Sequence, residues 1–273
     1  MRNSAARRVP IALLTDFGYR DHYVGVMKGV IAAIAPDAPI LDITHGIPPQ
    51  SVEAGAIALR QSWSYFPRRT IFVAVVDPGV GTARRAIAIE SASGARFIGP
   101  DNGLLVPAAD DAKIERIVEI NSARYRLPKT SSTFHGRDIF APAASHLWNG
   151  TRLATLGRAI SGIQQFALEQ PRMEGDELRG TIVYIDAFGN LITNISRESL
   201  KHFAARFPTR KLLVKIRRSV SVEIRKTYGD APHRASLAAF GSFELLEIAV
   251  REGSAADRYA AEPGMPVTVR VSR

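Results

Sequence analysis

The 273-residue chain contains no cysteine. That removes disulfides, thiol nucleophiles and thiolate metal ligands from the chemistry open to it. Nor is there an apolar run near the roughly 18 residues that a membrane-spanning helix needs. The opening MRNSAARRVP is basic, but it leads straight into a strand-like IALLTDF with no signal-peptide core or small-residue cleavage site. Repeats and low-complexity segments are absent as well. Together these absences set the expectation of a globular, cytoplasmic protein without membrane association.

What is present is ordinary in amount and uneven in placement. Hydrophobic residues make up 46% of the chain, and the formal net charge is +10. Segment 201–240 carries ten basic residues (Lys201, Arg206, Arg210, Lys211, Lys215, Arg217, Arg218, Arg225, Lys226 and Arg234) against Glu223 and Asp230, a local balance of 10 − 2 = +8. Within KLLVKIRRSVSVEIRK the charges alternate with Leu, Val and Ile, as on the solvated face of a strand pair. A surface for anions is the competing reading of the same block.

The first 150 residues alternate strand and helix signals. PIALLTDF (10–17), PILDIT (39–44) and TIFVAVVDPGVG (70–81) read as strands. YVGVMKGVIAAIAP (23–36) and SVEAGAIALRQSWSYF (51–66) have helical periodicity, the first stopped by Pro36 and the second opened by Ser51. RAIAIES and RFIGPDNG add two strands, and DIFAPAASHLWNG (138–150) reads as a helix ended by Gly150. Past the polar QPRMEGDELRG, short β-rich pieces follow: GTIVYIDAFGNLITNI, KLLVKI, SVSVEIRK, ELLEIAV and MPVTVRVS. The expected organisation is an α/β domain with a mainly parallel sheet (1–165), a linker (166–178) and a smaller C-terminal β-barrel domain (179–273).

In an open α/β sheet, ligands collect at the carboxyl ends of the strands. Polar residues directly after apolar runs are therefore the first candidates. Asp16 ends the first run, where a carboxylate can accept two hydrogen bonds from a vicinal diol or cap the following turn. In DPGVGTARR, Pro78 and two glycines allow close backbone approach, and Arg84 can fold back toward Asp77; a tight hairpin is the plain alternative. This loop lacks the Lys-Ser/Thr ending of a phosphate-binding P-loop. FHGRD sets His135 beside Gly136, with Arg137 expected to pair with a carboxylate and Asp138 to cap the helix. In IDAFGNLITN, Asp186 and Asn190 flank Phe188-Gly189 as in a hairpin turn.

The segments LLTDFGYRDHYVGVMKG, ITHGIP, VVDPGVGT-ARR, FIGPDNGLL, TFHGRDIFAPAA, IDAFGNLITNI and GSFELLEIAV…GSAA, in order from about residue 11 to 256, resemble the S-adenosyl-L-methionine hydroxide adenosyltransferases. These are adenosine-forming hydrolases related to fluorinating and chlorinating enzymes. The resemblance implies an α/β domain joined to a smaller β-barrel in a homotrimer, with substrate between the first domain of one subunit and the second of its neighbour. It implies that Asp77, Arg84 and His135 activate water and that Asp16 holds the ribose. By the same resemblance, Asp186, Asn190 and Ser242 contact the methionine end and the nucleoside. No metal or cofactor is expected, S-adenosyl-L-methionine being the substrate. The halogenating relatives lack this Asp and His pairing, which favours water over halide as nucleophile. Phe243-Glu244 departs from the family, where a glycine often follows the serine. Two rival readings stand beside this one. A metal-dependent hydrolase would draw ligands from Asp16, His22, Asp42, His45, Asp77 and His135. A nucleic-acid-binding protein would use the 201–240 block, although no reader motif accompanies it.

Overall fold

The computed structural model describes residues 9–166, 169–216 and 220–272. Arg217 and Arg218 of the basic block lie outside them. The chain divides into two compact units, Met1–Ala167 and Leu168–Arg273.

In the first unit the strands are β1 (Ile11–Thr15), β2 (Ile40–Thr44), β3 (Ile71–Val75), β4 (Ala86–Ser91), β5 (Arg96–Pro100), β6 (Ile114–Ile120) and β7 (Gly157–Ala159). Among the described residues they form one sheet in the order β2-β1-β3-β5-β4-β6-β7. The helices are α1 (Tyr23–Ile34), α2 (Val52–Ser62), α3 (Val106–Asp111) and α4 (Ala141–Trp148). β1 and β3 are buried along their whole length, as strands covered on both faces must be. Alternation then sends Ile11, Leu13, Ile71 and Val73 into one core with Met27 and Ile31 of α1 and Leu147 of α4. Phe72 points to the opposite face and stacks on Phe97 at 5.1 Å, with Phe66 edge-on at 5.5 Å.

The expected mainly parallel sheet is in fact mixed. β2, β1, β3 and β5 run parallel, whereas β4 is antiparallel to β5 and β6, and β6 to β7. The reason is the short link between β4 and β5, Ala92–Ala95. It has room for a hairpin turn but not for the crossover that a parallel pair requires. Helix ends follow the sequence more closely. Ser51 caps α2 by accepting from the Ala54 amide, and Pro36 lies two residues beyond the end of α1.

The second unit holds β8 (Arg172–Glu174), β9 (Glu177–Ile185), β10 (Leu191–Ser196), β11 (Leu212–Ile216), β12 (Val220–Glu223), β13 (Ser236–Phe240), β14 (Leu245–Val250) and β15 (Pro266–Val271). Among the described residues seven of these follow the order β12-β11-β15-β9-β10-β14-β13, with β8 against β9. An isolated bridge from Ile224 to Ala238 brings the two ends together, so the antiparallel sheet is nearly closed. β8 and the start of β9 occupy part of the stretch read as a linker. Two short helices were not expected: α5 (Arg197–Ala204), capped by Ser196, and α6 (Ala255–Tyr259), capped by Ser254. Of the alternating charges, Lys215 and Glu223 lie on the β11–β12 pair, where Val214, Ile216 and Val222 turn inward.

Phe72→Ala should destabilise the protein by about 3–5 kcal/mol, because it removes a fully buried ring and leaves a cavity. Urea unfolding of the two proteins measures this. A change under 1 kcal/mol would mean that the Phe72–Phe97 stack is not part of the core that supports the sheet.

Candidate active site

Asp77 follows β3 at its carboxyl end, and the residues after it fold into two successive turns. Val80 N–H donates to the Asp77 carbonyl at 3.2 Å, and Thr82 N–H to the Gly79 carbonyl at 3.2 Å. The Thr82 hydroxyl donates to the same Gly79 oxygen at 2.7 Å. These turns return Arg84 to Asp77. Arg84 Nε donates to Asp77 Oδ1 at 2.9 Å, and its Nη2 contacts Asp77 Oδ2 in a bidentate pair. Both side chains are nearly buried, at 9% and 5% exposure. The guanidinium also reaches the Arg85 carbonyl at 3.1 Å and lies over the Phe140 ring at 5.3 Å.

The third group arrives from the other loop. His135 opens a five-residue π-turn, Gly136–Phe140, that runs into α4; such turns recur at functional sites. Its Nδ1 lies 3.0 Å from Arg84 Nη2. A guanidinium has only donors, so Nδ1 is the acceptor and a neutral ring carries its proton on Nε2. Burial, reinforced by the charge of Arg84, holds the His135 pKa below its ordinary value. Asp138 does not cap the helix. It is fully buried, accepts two bonds from Arg137, and takes the Ser131 amide at 2.8 Å. Here the polar loop before the helix consumed the carboxylate that the sequence offered as a cap.

The two loops meet at Gly81. Its φ is +80°, and a Cβ there would come within 2.4 Å of the Ser132 carbonyl oxygen. Asp16 follows β1 and accepts the Gln50 amide at 2.8 Å. Burial raises its pKa, and the nearby Asp77 charge raises it further, against the lowering effect of the Gln50 bond. Asp16, Asp77, Arg84 and His135 therefore belong to one end of the sheet. The turn that carries Asp16 is held by His45. His45 Nδ1 bonds Thr15 Oγ1 at 2.7 Å, and its carbonyl accepts the Gly18 amide at 2.8 Å.

Those contacts also bear on the rival ligand set. Asp42 is taken by Lys28 at 2.7 Å and by Tyr19 at 2.9 Å, with His45 Nε2 at 3.1 Å, and Asp77 is taken by Arg84. Among the described residues no three His, Asp or Glu side chains converge as a ligand set.

The remaining candidates lie in the second unit, on the wall of a cavity of about 1050 Å³. Asp186 closes its own hairpin turn. Its Oδ1 accepts the Phe188 and Asn190 amides at 2.9 Å each, and its Oδ2 accepts Asn190 Nδ2 at 2.9 Å. Asn190 and Ser242 line the same cavity. Gly189, at φ +78°, presses against Ser254, where a Cβ would meet Oγ at 2.2 Å. The Phe243-Glu244 departure is accommodated. Glu244 adopts φ +61°, a conformation that favours glycine, and its side chain pairs with Arg197.

One cavity residue was missed from sequence. Glu247, on β14, is 8% exposed, hydrogen-bonded by the Tyr228 hydroxyl, and raised in pKa by burial and by Asp186. A charged residue inside the apolar run ELLEIAV was the available signal.

Gly81→Ala should remove most activity and cost about 1–3 kcal/mol of stability, since it adds a left-handed alanine and a clash with Ser132. Activity assay and thermal unfolding of the variant measure this. Unchanged activity would show that close contact between the two loops is dispensable.

Comparison with known proteins agrees with this architecture. Residues 11–157 match the SAM hydroxide adenosyltransferase N-terminal domain, and residues 180–268 match the corresponding C-terminal domain. The chain is 39% identical over 266 residues to an (R)-S-adenosyl-L-methionine hydrolase of Thermus thermophilus, covering 94% of this chain and 98% of the relative. It is also 39% identical to the enzyme of that name from Salinispora arenicola, covering 93% and 95%. A crystal structure of an uncharacterized conserved protein from Thermotoga maritima superposes with a TM-score of 0.86 at 35% identity, covering 95% of this chain and 99% of that one. With both domain models matched in order along one chain, the protein belongs to the SAM hydroxide adenosyltransferase family.

Proposed function

We propose that the protein hydrolyses S-adenosyl-L-methionine, in the (R) sulfonium form named for its relatives, to adenosine and L-methionine. The observation that carries this reading is Arg84 bridging Asp77 and His135 at the strand ends of a chain of this family. Water attacks C5′ as the C5′–S bond breaks. The electron pair stays on sulfur, and one proton is released. The sulfonium is already a good leaving group, so activation of the water is the demanding step. A nearby guanidinium favours hydroxide over water. Since His135 Nδ1 is engaged by Arg84, its Nε2–H is the donor that orients the water. The water's proton passes to the Asp77 carboxylate, whose oxygens retain lone pairs beyond the bonds from Arg84.

Asp16 holds the ribose hydroxyls, with Asn190 and Ser242 contacting the rest of the substrate. Asp186 acts chiefly by shaping the turn that presents Asn190. The working form is a cytoplasmic homotrimer in which neighbouring subunits complete each site, and no metal or cofactor takes part.

Purified protein should release adenosine and methionine in equal amounts from the (R) epimer, and exhaustive chelation should leave the rate unchanged. Absence of adenosine at high enzyme concentration would overturn the assignment, and loss of activity restored by a divalent ion would favour the metal-dependent rival. Arg84→Ala should lower kcat by about 10²–10³ with a smaller change in substrate affinity. Equal loss of both would make Arg84 a binding residue.

The direction of the His135 shift sets a pH dependence. The pKa lies below the ordinary 6.5, so the ring is neutral at pH 7 and the rate should be flat there. On acidification an imidazolium beside Arg84 breaks the Nδ1 bond, and kcat/KM should fall with an apparent pKa below 6.5. A pH–rate profile measures it, and an acid limb centred above 6.5 would contradict a neutral His135 with its proton on Nε2.

A further inference from the structure

The amino-terminal end of the same sheet, opposite the strand ends that carry Asp77, holds a second concave surface lined with arginine. Two cavities of about 320 and 310 Å³ occur there, and Arg96 and Arg152 line both. Arg69 completes the first; Arg116 and Glu90 complete the second. Sheet register sets Arg96 and Arg116 on either side of Glu90, because Glu90 pairs with Arg96 on β5 and with Arg116 on β6. Four guanidiniums against one carboxylate leave 4 − 1 = +3 on this surface. Arg96 pairs with Glu90 at 3.2 Å, but among the described residues Arg69, Arg116 and Arg152 have no carboxylate partner.

Several features aim this charge. Arg69 takes φ +70°, and its Cγ lies where a Cβ on Gly94 would come within 3.0 Å, so glycine lets the Arg69 stem lie close against the β4–β5 turn. Two carbonyls at the end of α4 are taken up within the chain, which reduces their opposition to an anion. Gly150 N–H returns to the Leu147 carbonyl at 3.1 Å, and Thr151 N–H to that of His146 at 3.0 Å. Guanidiniums that line small hollows, three of the four without a carboxylate partner among the described residues, offer fork-shaped donors that fit phosphate oxygens.

We propose that this surface binds a small phosphate-bearing anion with at least two linked phosphate groups, one in each hollow, bridged over Arg96 and Arg152. Nucleic acid is the less favoured ligand. The hollows are small and separate, and Trp148, the aromatic residue of the lining, is half-buried with its indole N–H bound to the Val9 carbonyl at 2.9 Å, so it offers no stacking platform.

Calorimetric titration of the full chain with inorganic tripolyphosphate tests this. The expected result is saturable binding of one ligand per chain, much weaker binding of orthophosphate, and at least about tenfold weaker tripolyphosphate binding in Arg116→Gln/Arg152→Gln. Hydrolytic activity and thermal midpoint of that variant should match the parent, since both side chains are exposed and away from Asp77. Arg152→Lys should fall between the two, because it keeps the charge and loses the fork. Absence of saturable heat, equal affinity in the double variant, or displacement of tripolyphosphate by a lower concentration of single-stranded oligonucleotide would each overturn the proposal.

Discussion

The buried pairing of Arg84 with Asp77 constrains everything around it. Two opposite charges, both nearly out of solvent, are tolerable only while the geometry is tight and the remaining donors are satisfied. The Arg85 carbonyl, the Phe140 face and His135 Nδ1 supply that satisfaction. Removing any member leaves a charge or a donor unmatched in a low-dielectric setting. The loops 77–85 and 131–140 are therefore not independent pieces of surface. They are fastened through one guanidinium, and Gly81 permits the contact that brings them together.

A second layer of polar contacts fixes the strand ends on which those loops stand. Asn102 donates to the Val76 carbonyl at 2.8 Å, immediately before Asp77. Arg85 pairs with Asp101, and Asp101 accepts the Gln164 amide at 2.7 Å. The PDNG turn thus serves as a brace for the neighbouring loop. In the second unit Asp186 plays a comparable part, spending its acceptors on its own hairpin so that Asn190 is held in place. Both cases separate residues that shape a site from residues that face its contents, a distinction that residue type alone does not make.

Much of this was legible in the sequence, and the misses have physical causes. β1, β3 and the two long helices of the first unit were readable because burial on both faces leaves continuous apolar runs, and amphipathic faces leave a 3.6-residue period. Strand direction was less accessible. RAIAIES and RFIGPDNG are equally good strands in either sense, and the shortness of the Ala92–Ala95 link decides the matter. Strand β13, SLAAF, lacks the β-branched residues that mark a strand, and its place is set by pairing with β14. α5 has the cap but only Leu200 and Phe203 as buried contacts, too few to show a period. Within the site, Asp77 and Arg84 were suggested by the turn between them, whereas His135 and Glu247 depend on contacts made across distant segments. Asp138 shows the converse: a favourable cap residue in the right place was claimed by a nearer arginine and a loop amide.

The mixed sheet also has a temporal meaning. The β4–β5 hairpin closes a loop of a few residues, whereas β1 meets β3 only after helices α1 and α2 have been brought across the sheet. Loop-closure entropy favours the short connection, and local contacts form sooner than distant ones. The parallel half, with β1, β3 and the Asp16 and Asp77 turns at their ends, therefore carries the larger closure cost. The acidic groups of the site thus stand on the strands that are costliest to bring together, whereas Arg84's neighbour Arg85 meets Asp101 across the hairpin that costs least.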